Sequence, residues 1–174
     1  MTPIIGFFGL VADWVDQEAI IATAKAHPEG SVVIIGKVAP DCDVSGLKAV
    51  PNIHLLGRKP YAALPGYCKA FDVALMPFKV NELTLNANPL KVREYLAAGL
   101  PVVSSDIPEV RQVGLCKLAR GTEDFVRKVD ECLAEGAGPR RERAERIRHE
   151  SWEAKVEEIR AFVGEAMVKA GRGL

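Results

Sequence analysis

This chain has no excess of either charge. Its 23 Lys and Arg are matched by 23 Asp and Glu, so the formal net charge is zero. A neutral chain has no overall field to draw it to nucleic acid or to an anionic surface, so a phosphate-bearing ligand would need a local site. Cysteine is sparse as well. Cys42, Cys68, Cys116 and Cys132 show no CxxC spacing, and no cluster of histidines accompanies them. That argues against a zinc site or a disulfide framework and for buried free thiols in a reducing cytoplasm. No apolar run reaches the ~18–20 residues of a membrane span. The N-terminus lacks the basic region of a signal peptide. Gly6-Phe-Phe-Gly9 is not GxGxxG, and no Gly-Lys-Ser/Thr loop occurs. Nicotinamide dehydrogenases and P-loop enzymes are therefore disfavoured. Asp72 begins its strand rather than ending it, which rejects a phospho-receiver domain.

What is present is a regular alternation of strand and helix, with 48% hydrophobic residues to build a core. Apolar runs at 3–9, 31–35, 53–56, 72–77, 101–105 and 115–118 read as strands, several stopped by glycine. Asp13 or Asp16 can cap the helix that carries Ala19, Ile20 and Ala24. Residues 61–70 read as a helix interrupted by Pro65. Residues 89–98 and 108–113 read as helices, and Thr122 as the cap of a helix running to about Ala134. Residues 40–52 and 78–88 read as loops. Strands separated by helices in series predict an α/β, doubly wound parallel sheet. The core is expected over about 3–136 and a helical tail over about 138–170. In that tail Trp152, Val156, Ile159, Val163 and Met167 lie at helical spacing, so this face should pack on something. The run from Arg140 to Arg148, interleaved with glutamates, reads as a solvated helix face. His54 reads as packed or partly exposed in its strand; His27 and His149 read as surface residues.

The most informative segment begins Asn86-Ala-Asn88-Pro89-Leu90-Lys91 and continues through Glu94 to Gly99-Leu-Pro101-Val-Val103. Asn88 suits an N-cap and Pro89 the first helical position. Gly99 suits the position just past the helix end, and Pro101 prevents continuation. In an open α/β sheet, ligands bind at the carboxyl ends of the strands. A helix N-terminus placed there offers free amides and a positive dipole end to an anion. Lys91 adds a full charge in the first turn, and Glu94 shares its face. One ligand could meet both, with phosphates on Lys91 and the amides of Leu90 and Lys91 and a sugar hydroxyl on Glu94. A solvated Lys91–Glu94 pair explains the same residues at comparable weight.

The segment resembles the C-terminal domain of group 1 glycosyltransferases, which have the GT-B fold. Their hallmark is two glutamates eight positions apart, an Ala-rich turn, then Gly-x-Pro-Val-Val. Glu94-Tyr-Leu-Ala-Ala-Gly-Leu-Pro-Val-Val-Ser matches its second half. Asn52-Ile-His-Leu-Leu-Gly57-Arg58, Leu64 and Ala70-Phe-Asp72-Val-Ala-Leu-Met-Pro77 are similar to the domain's middle section. Trp152 matches the aromatic residue near the start of its last helix.

The resemblance implies a Rossmann-like domain that binds the nucleotide-diphosphate sugar of a glycosyl transfer. Glu94 would hold the ribose hydroxyls, and the amides at Leu90 and Lys91 the pyrophosphate. Arg58 stands where the family's backbone reads the base, and Gly9 where the diphosphate passes the first strand. The first glutamate of the hallmark is Asn86 here, and Glu82 in the same loop is its other candidate replacement. The family's basic pair after the first strand is absent, with Lys91 the expected source of charge. The resemblance further implies retention of anomeric configuration, no metal or other cofactor, and an N-terminal acceptor domain in a longer enzyme. The isolated domain would then transfer little. The expected location is the cytoplasm, with peripheral association at the inner face of the membrane for the longer enzyme. Cell-surface polysaccharide synthesis is the expected setting. A non-catalytic nucleotide-sugar-binding module and a sugar-nucleotide epimerase of the same fold are the rival readings. The epimerase would require acid/base residues in the cleft, and the sequence offers no candidate set.

Overall fold

A computed structural model describes residues 2–136, 138–169 and 171. The β-branched runs form its centre. The strands are β1 (Ile4–Phe8), β2 (Ser31–Ile35), β3 (Ile53–Leu55), β4 (Val73–Met76), β5 (Val102–Ser105) and β6 (Lys117–Ala119). All pairs are parallel, in the order β3-β2-β1-β4-β5-β6. The connecting helices are α1 (Gln17–Ala26), α2 (Ser45–Lys48), α3 (Leu64–Ala70), α4 (Glu82–Leu85), α5 (Leu90–Ala97), α6 (Pro108–Val113) and α7 (Thr122–Glu135). The tail holds α8 (Arg140–Arg146) and α9 (Trp152–Lys169). This is the expected α/β doubly wound sheet.

Strand alternation divides the core in two. Ile5, Phe7, Val32 and Ile34 join Ile20, Leu47, Phe125 and Val129 in one cluster. Phe8, Ile35, Ala74 and Met76 join Phe71, Tyr95, Leu96 and Ile147 in the other. A Cβ at Gly6 would lie 2.0 Å from the Phe71 ring, so only glycine lets that ring close on β1.

Several local expectations hold. The Asp16 carboxylate caps α1 by accepting from the Ala19 amide at 3.1 Å. A 3-10 turn at Tyr61–Ala63 precedes α3, and Pro65 sits in the first turn of that restarted helix. After α5 the Gly99 amide donates to Leu96 and the Leu100 amide to Tyr95, with Gly99 at φ 76°. That is a Schellman stop.

Others are corrected. The two expected loops contain α2 and α4; these single turns are too short to show periodicity. The cap of α4 is a reciprocal pair: the Thr84 amide donates to Asn81 Oδ1, and the Asn81 amide to Thr84 Oγ1. Thr122 does not cap α7. Gly121 is the cap residue, at φ 83°, and the Asp124 carboxylate accepts from the Arg120 amide at 2.8 Å. β6 falls at 117–119 rather than 115–118. His27 is 8% exposed rather than a surface residue, with Nε2 3.2 Å from an Asp130 oxygen. It terminates α1 where α7 packs over it, a long-range contact its polar sequence neighbours do not reveal. His54 is exposed on β3.

The tail arginines divide: Arg141, Arg146 and Arg148 are exposed, as expected of a solvated face, but Arg140 and Arg143 are not. Arg140 donates to the carbonyls of Cys68, Lys69 and Phe71, satisfying the end of α3. Arg143 donates to the Gly99 carbonyl at 2.6 Å, and Ile147 is buried. By contrast no described residue of α9 is buried: Trp152 is 77% exposed, Val156, Ile159, Phe162 and Val163 are exposed with it, and Met167 is half-buried.

Candidate functional site

The carboxyl ends of β1, β2 and β3 finish in Gly9, Gly36 and Gly57, at φ 147°, 151° and 66°. The Gly9 amide donates to the Ile35 carbonyl at 2.8 Å, and the Gly36 amide to the Gly57 carbonyl at 2.9 Å. A Cβ on Gly36 would lie 1.7 Å from the Gly9 oxygen. The three strand ends are therefore cross-linked by backbone and present a floor without side chains.

A cleft of about 340 Å³ opens on this floor, lined by Gly9, Gly36, Lys37, Arg58, Lys59 and Leu64 among others. Gly9 and Arg58 thus line one cleft. Lys37 and Lys59 were not anticipated. Each is one or two residues past a strand-ending glycine, and that spacing was the available signal. No basic pair follows β1; the cations of the cleft follow β2 and β3.

The crevice lies beside the point where the strand order reverses, between β1 and β4. Those strands pair only at Ile5–Val73 and Gly6–Ala74. Beyond that, Tyr95 of α5 serves the β1 backbone: the Phe8 amide donates to its phenol oxygen at 2.8 Å, and its hydroxyl faces the Phe8 carbonyl at 3.3 Å. The two rings meet edge to face with centroids 4.5 Å apart. Burial drives the Tyr95 pKa upward, so the phenol stays a donor.

This lock brings Lys91, one turn earlier on α5, over Gly9. A Cβ on Gly9 would lie 2.0 Å from Lys91 Cε and 2.9 Å from Nζ. Burial lowers the Lys91 pKa, and the nearby Glu94 carboxylate opposes that shift. Lys37, Arg58, Lys59 and Lys91 enter no ion pair among the described residues. The Tyr61 hydroxyl donates to Glu94 Oε1 at 2.9 Å, although Tyr61 is itself 74% exposed.

The start of α5 differs from the expectation. Asn88 does not cap it and Pro89 is not its first helical residue. Pro89 is the cap residue, at ψ 107°, with no side-chain hydrogen bond. The Asn88 Oδ1 instead accepts from Arg93 at 2.7 Å. Asn86 ends α4 and its amide donates to the Glu82 carbonyl at 2.8 Å. Glu82 is exposed in the first turn of α4. Neither Asn86 nor Glu82 lines the Gly9 cleft.

A larger groove of about 800 Å³ lies on the other side of α5, lined by Tyr61, Leu90, Arg93, Glu94, Glu109 and Trp152 among others. Glu94 faces that groove while Lys91 faces Gly9, so the α5 N-terminus separates the two openings. Size alone would favour the groove, but the unpaired cations and the bare backbone are at the Gly9 cleft. Among the described residues no three His, Cys, Asp or Glu are grouped to hold a metal ion, and no helix is long and apolar enough to cross a membrane.

An all-parallel sheet with helices on both faces and a glycine-floored cleft at the carboxyl ends of β1, β2 and β3 defines a Rossmann-like domain of the GT-B type. Residues 2–135 match the family model for glycosyl transferases group 1, and the chain belongs to that family. It is 30% identical over 112 residues to the putative teichuronic acid biosynthesis glycosyltransferase TuaH of Bacillus subtilis. That match covers 63% of this chain and 28% of the relative's length. The fold is similar to the catalytic domain of cholesterol-α-glucosyltransferase from Helicobacter pylori, with TM-score 0.63 and 15% identity over 90% of this chain and 99% of that one. It is also similar to Anabaena Alr3699/HepE in complex with UDP and glucose, with TM-score 0.65 and 15% identity over 96% of this chain and 48% of that one.

Proposed function

We propose that this chain is the donor-binding part of a glycosyltransferase and holds the nucleoside diphosphate of a nucleotide-sugar in the Gly9 cleft. The observation that carries the reading is the stacking of the Lys91 side chain across Gly9, beside the uncapped amino end of α5. A diphosphate laid there meets an ammonium, free amides and a backbone floor that admits close approach. Lys37, Arg58 and Lys59 add charge from the other wall. Glu94 opens on the neighbouring groove instead, so a nucleotide that reaches across the amino end of α5 would set its ribose hydroxyl against the Glu94 oxygen not engaged by Tyr61.

In the transfer step the bond between the anomeric carbon and the diphosphate oxygen breaks, and negative charge grows on the departing diphosphate. Preorganised amides and Lys91 stabilise that charge, with the four basic side chains doing the work a divalent cation does elsewhere. Retention of configuration, a hexosyl group and an acceptor in cell-surface polysaccharide synthesis follow the family resemblance and the name of the Bacillus relative. The acceptor would sit on a companion N-terminal domain, and the bare apolar face of α9 suits contact with such a partner.

The test is calorimetric titration of the chain with UDP, GDP and ADP, alongside Lys91→Ala and Glu94→Ala. Binding of one nucleotide that both substitutions abolish supports the reading. Binding that survives Lys91→Ala and Glu94→Ala unchanged overturns it.

A further inference from the structure

Arg93 has no place in the site described so far, yet it is the best-connected side chain near it. Its Nη1 donates to Asn88 Oδ1 at 2.7 Å, its Nη2 to Glu109 at 2.7 Å and its Nε to Glu150 at 3.0 Å. The guanidinium is largely buried, and the two carboxylates come from α6 and from the turn before α9. Two charge-assisted bonds therefore fix the planar fork, and its remaining arm is aimed at Asn88.

That arm has a consequence for the helix end. Asparagine followed by proline is a strong local signal for capping, and a capping Asn88 would direct Oδ1 to the amide of Leu90 or Lys91. Those amides are the ones the donor reading assigns to the diphosphate. Here Pro89 is the cap residue, at ψ 107°, so Asn88 stands one position before it with Oδ1 on Arg93; capping by Asn88 requires its release and the turn of Pro89 into the helix, and α5 has no side-chain cap. We propose that Arg93 is a positioning residue that keeps the amino end of α5 open by sequestering Asn88, which would otherwise occupy the anion's place. The inference rests on the donor-site reading. It adds an internal competitor and the residue that restrains it.

The experiment is titration of the full chain with UDP, GDP and ADP in five forms: unaltered, Arg93→Met, Arg93→Lys, and each of these two variants combined with Asn88→Ala. Arg93→Lys keeps a cation between Glu109 and Glu150, so it guards against loss of the fold in Arg93→Met; circular dichroism checks both. Freeing Asn88 to cap weakens nucleotide binding about fivefold, the equilibrium equivalent of one side-chain cap. Adding Asn88→Ala restores affinity, because the competitor is gone. In ¹⁵N-labelled protein the Leu90 and Lys91 amide signals shift in the single variants and return in the double ones. A merely structural Arg93 gives the opposite: the double variants bind no better than the single ones, or the single variants bind as the unaltered chain does. Either result overturns the inference and leaves the donor site standing. If the unaltered chain binds none of the three nucleotides, the donor-site reading fails and this inference fails with it.

Discussion

The phenol oxygen of Tyr95 sits 2.8 Å from the Phe8 amide and thereby ties the middle of α5 to the end of β1. The bond replaces pairing that β4 does not provide at that level. Because Lys91 is on that helix, one buried hydroxyl sets its height above the Gly9 floor. Tyr95→Phe would leave the buried Phe8 amide without its partner. The expected cost is about 1–3 kcal/mol in chemical denaturation, with weakened nucleotide binding in the folded protein. Unchanged stability would mean that the helix is held by its apolar contacts alone.

Gly9 and Gly36 should respond differently to alanine. At Gly36 the new Cβ meets the Gly9 backbone oxygen at 1.7 Å, and backbone cannot step aside. Gly36→Ala is expected to prevent folding, visible as loss of cooperative thermal unfolding. At Gly9 the Cβ meets the mobile end of Lys91, and the positive φ is the main strain. Gly9→Ala should fold with a loss of about 1–3 kcal/mol and should lose nucleotide affinity, because Lys91 is pushed off the floor.

Lys91 gives the site a pH dependence. Its pKa is lowered by burial from the ordinary 10.5. Where folded lysine binds fewer protons than unfolded lysine, stability rises with pH. Lys91 therefore contributes a rise between its lowered pKa and 10.5, and a constant cost below that window. Affinity for a diphosphate should move the other way, falling as the ammonium deprotonates at a pH below 10.5. Calorimetry across the alkaline range should show that fall beginning at a lower pH in the unaltered chain than in Lys91→Met.

Glu94 and Lys91 should separate by ligand. Glu94→Gln is expected to weaken nucleoside diphosphates while leaving inorganic pyrophosphate unaffected; Lys91→Ala should weaken both. Equal loss of pyrophosphate in Glu94→Gln would place that carboxylate near the phosphates rather than the ribose.

The exposed face of α9 should contribute little to the domain's own stability. Phe162→Glu is expected to change the unfolding free energy by less than about 0.5 kcal/mol, as for ordinary surface positions. A larger loss would show that this face packs on the domain in solution.

Much of this was legible in the chain. The strand runs, the Asp16 cap, the restart at Pro65 and the stop at Gly99 depend on residues within a few positions, where steric and capping preferences act. So did the pairing of Gly9 with Lys91 as neighbours of one crevice, through the family pattern around Glu94. What distance in sequence concealed was decided by the tertiary structure. Asn88 and Pro89 carry a correct local signal for a capped helix, and Arg93, held by Glu109 and Glu150, overrides it. His27 is surrounded by polar neighbours along the chain but lies under α7 beside Asp130. Lys37 and Lys59 join Arg58 at the cleft only because β2 and β3 run parallel to β1 in the same register of ends. Short-range propensity determines which elements form and where they stop; strand order and the few charged bonds that cross between elements decide which side chains meet and which helix end stays open.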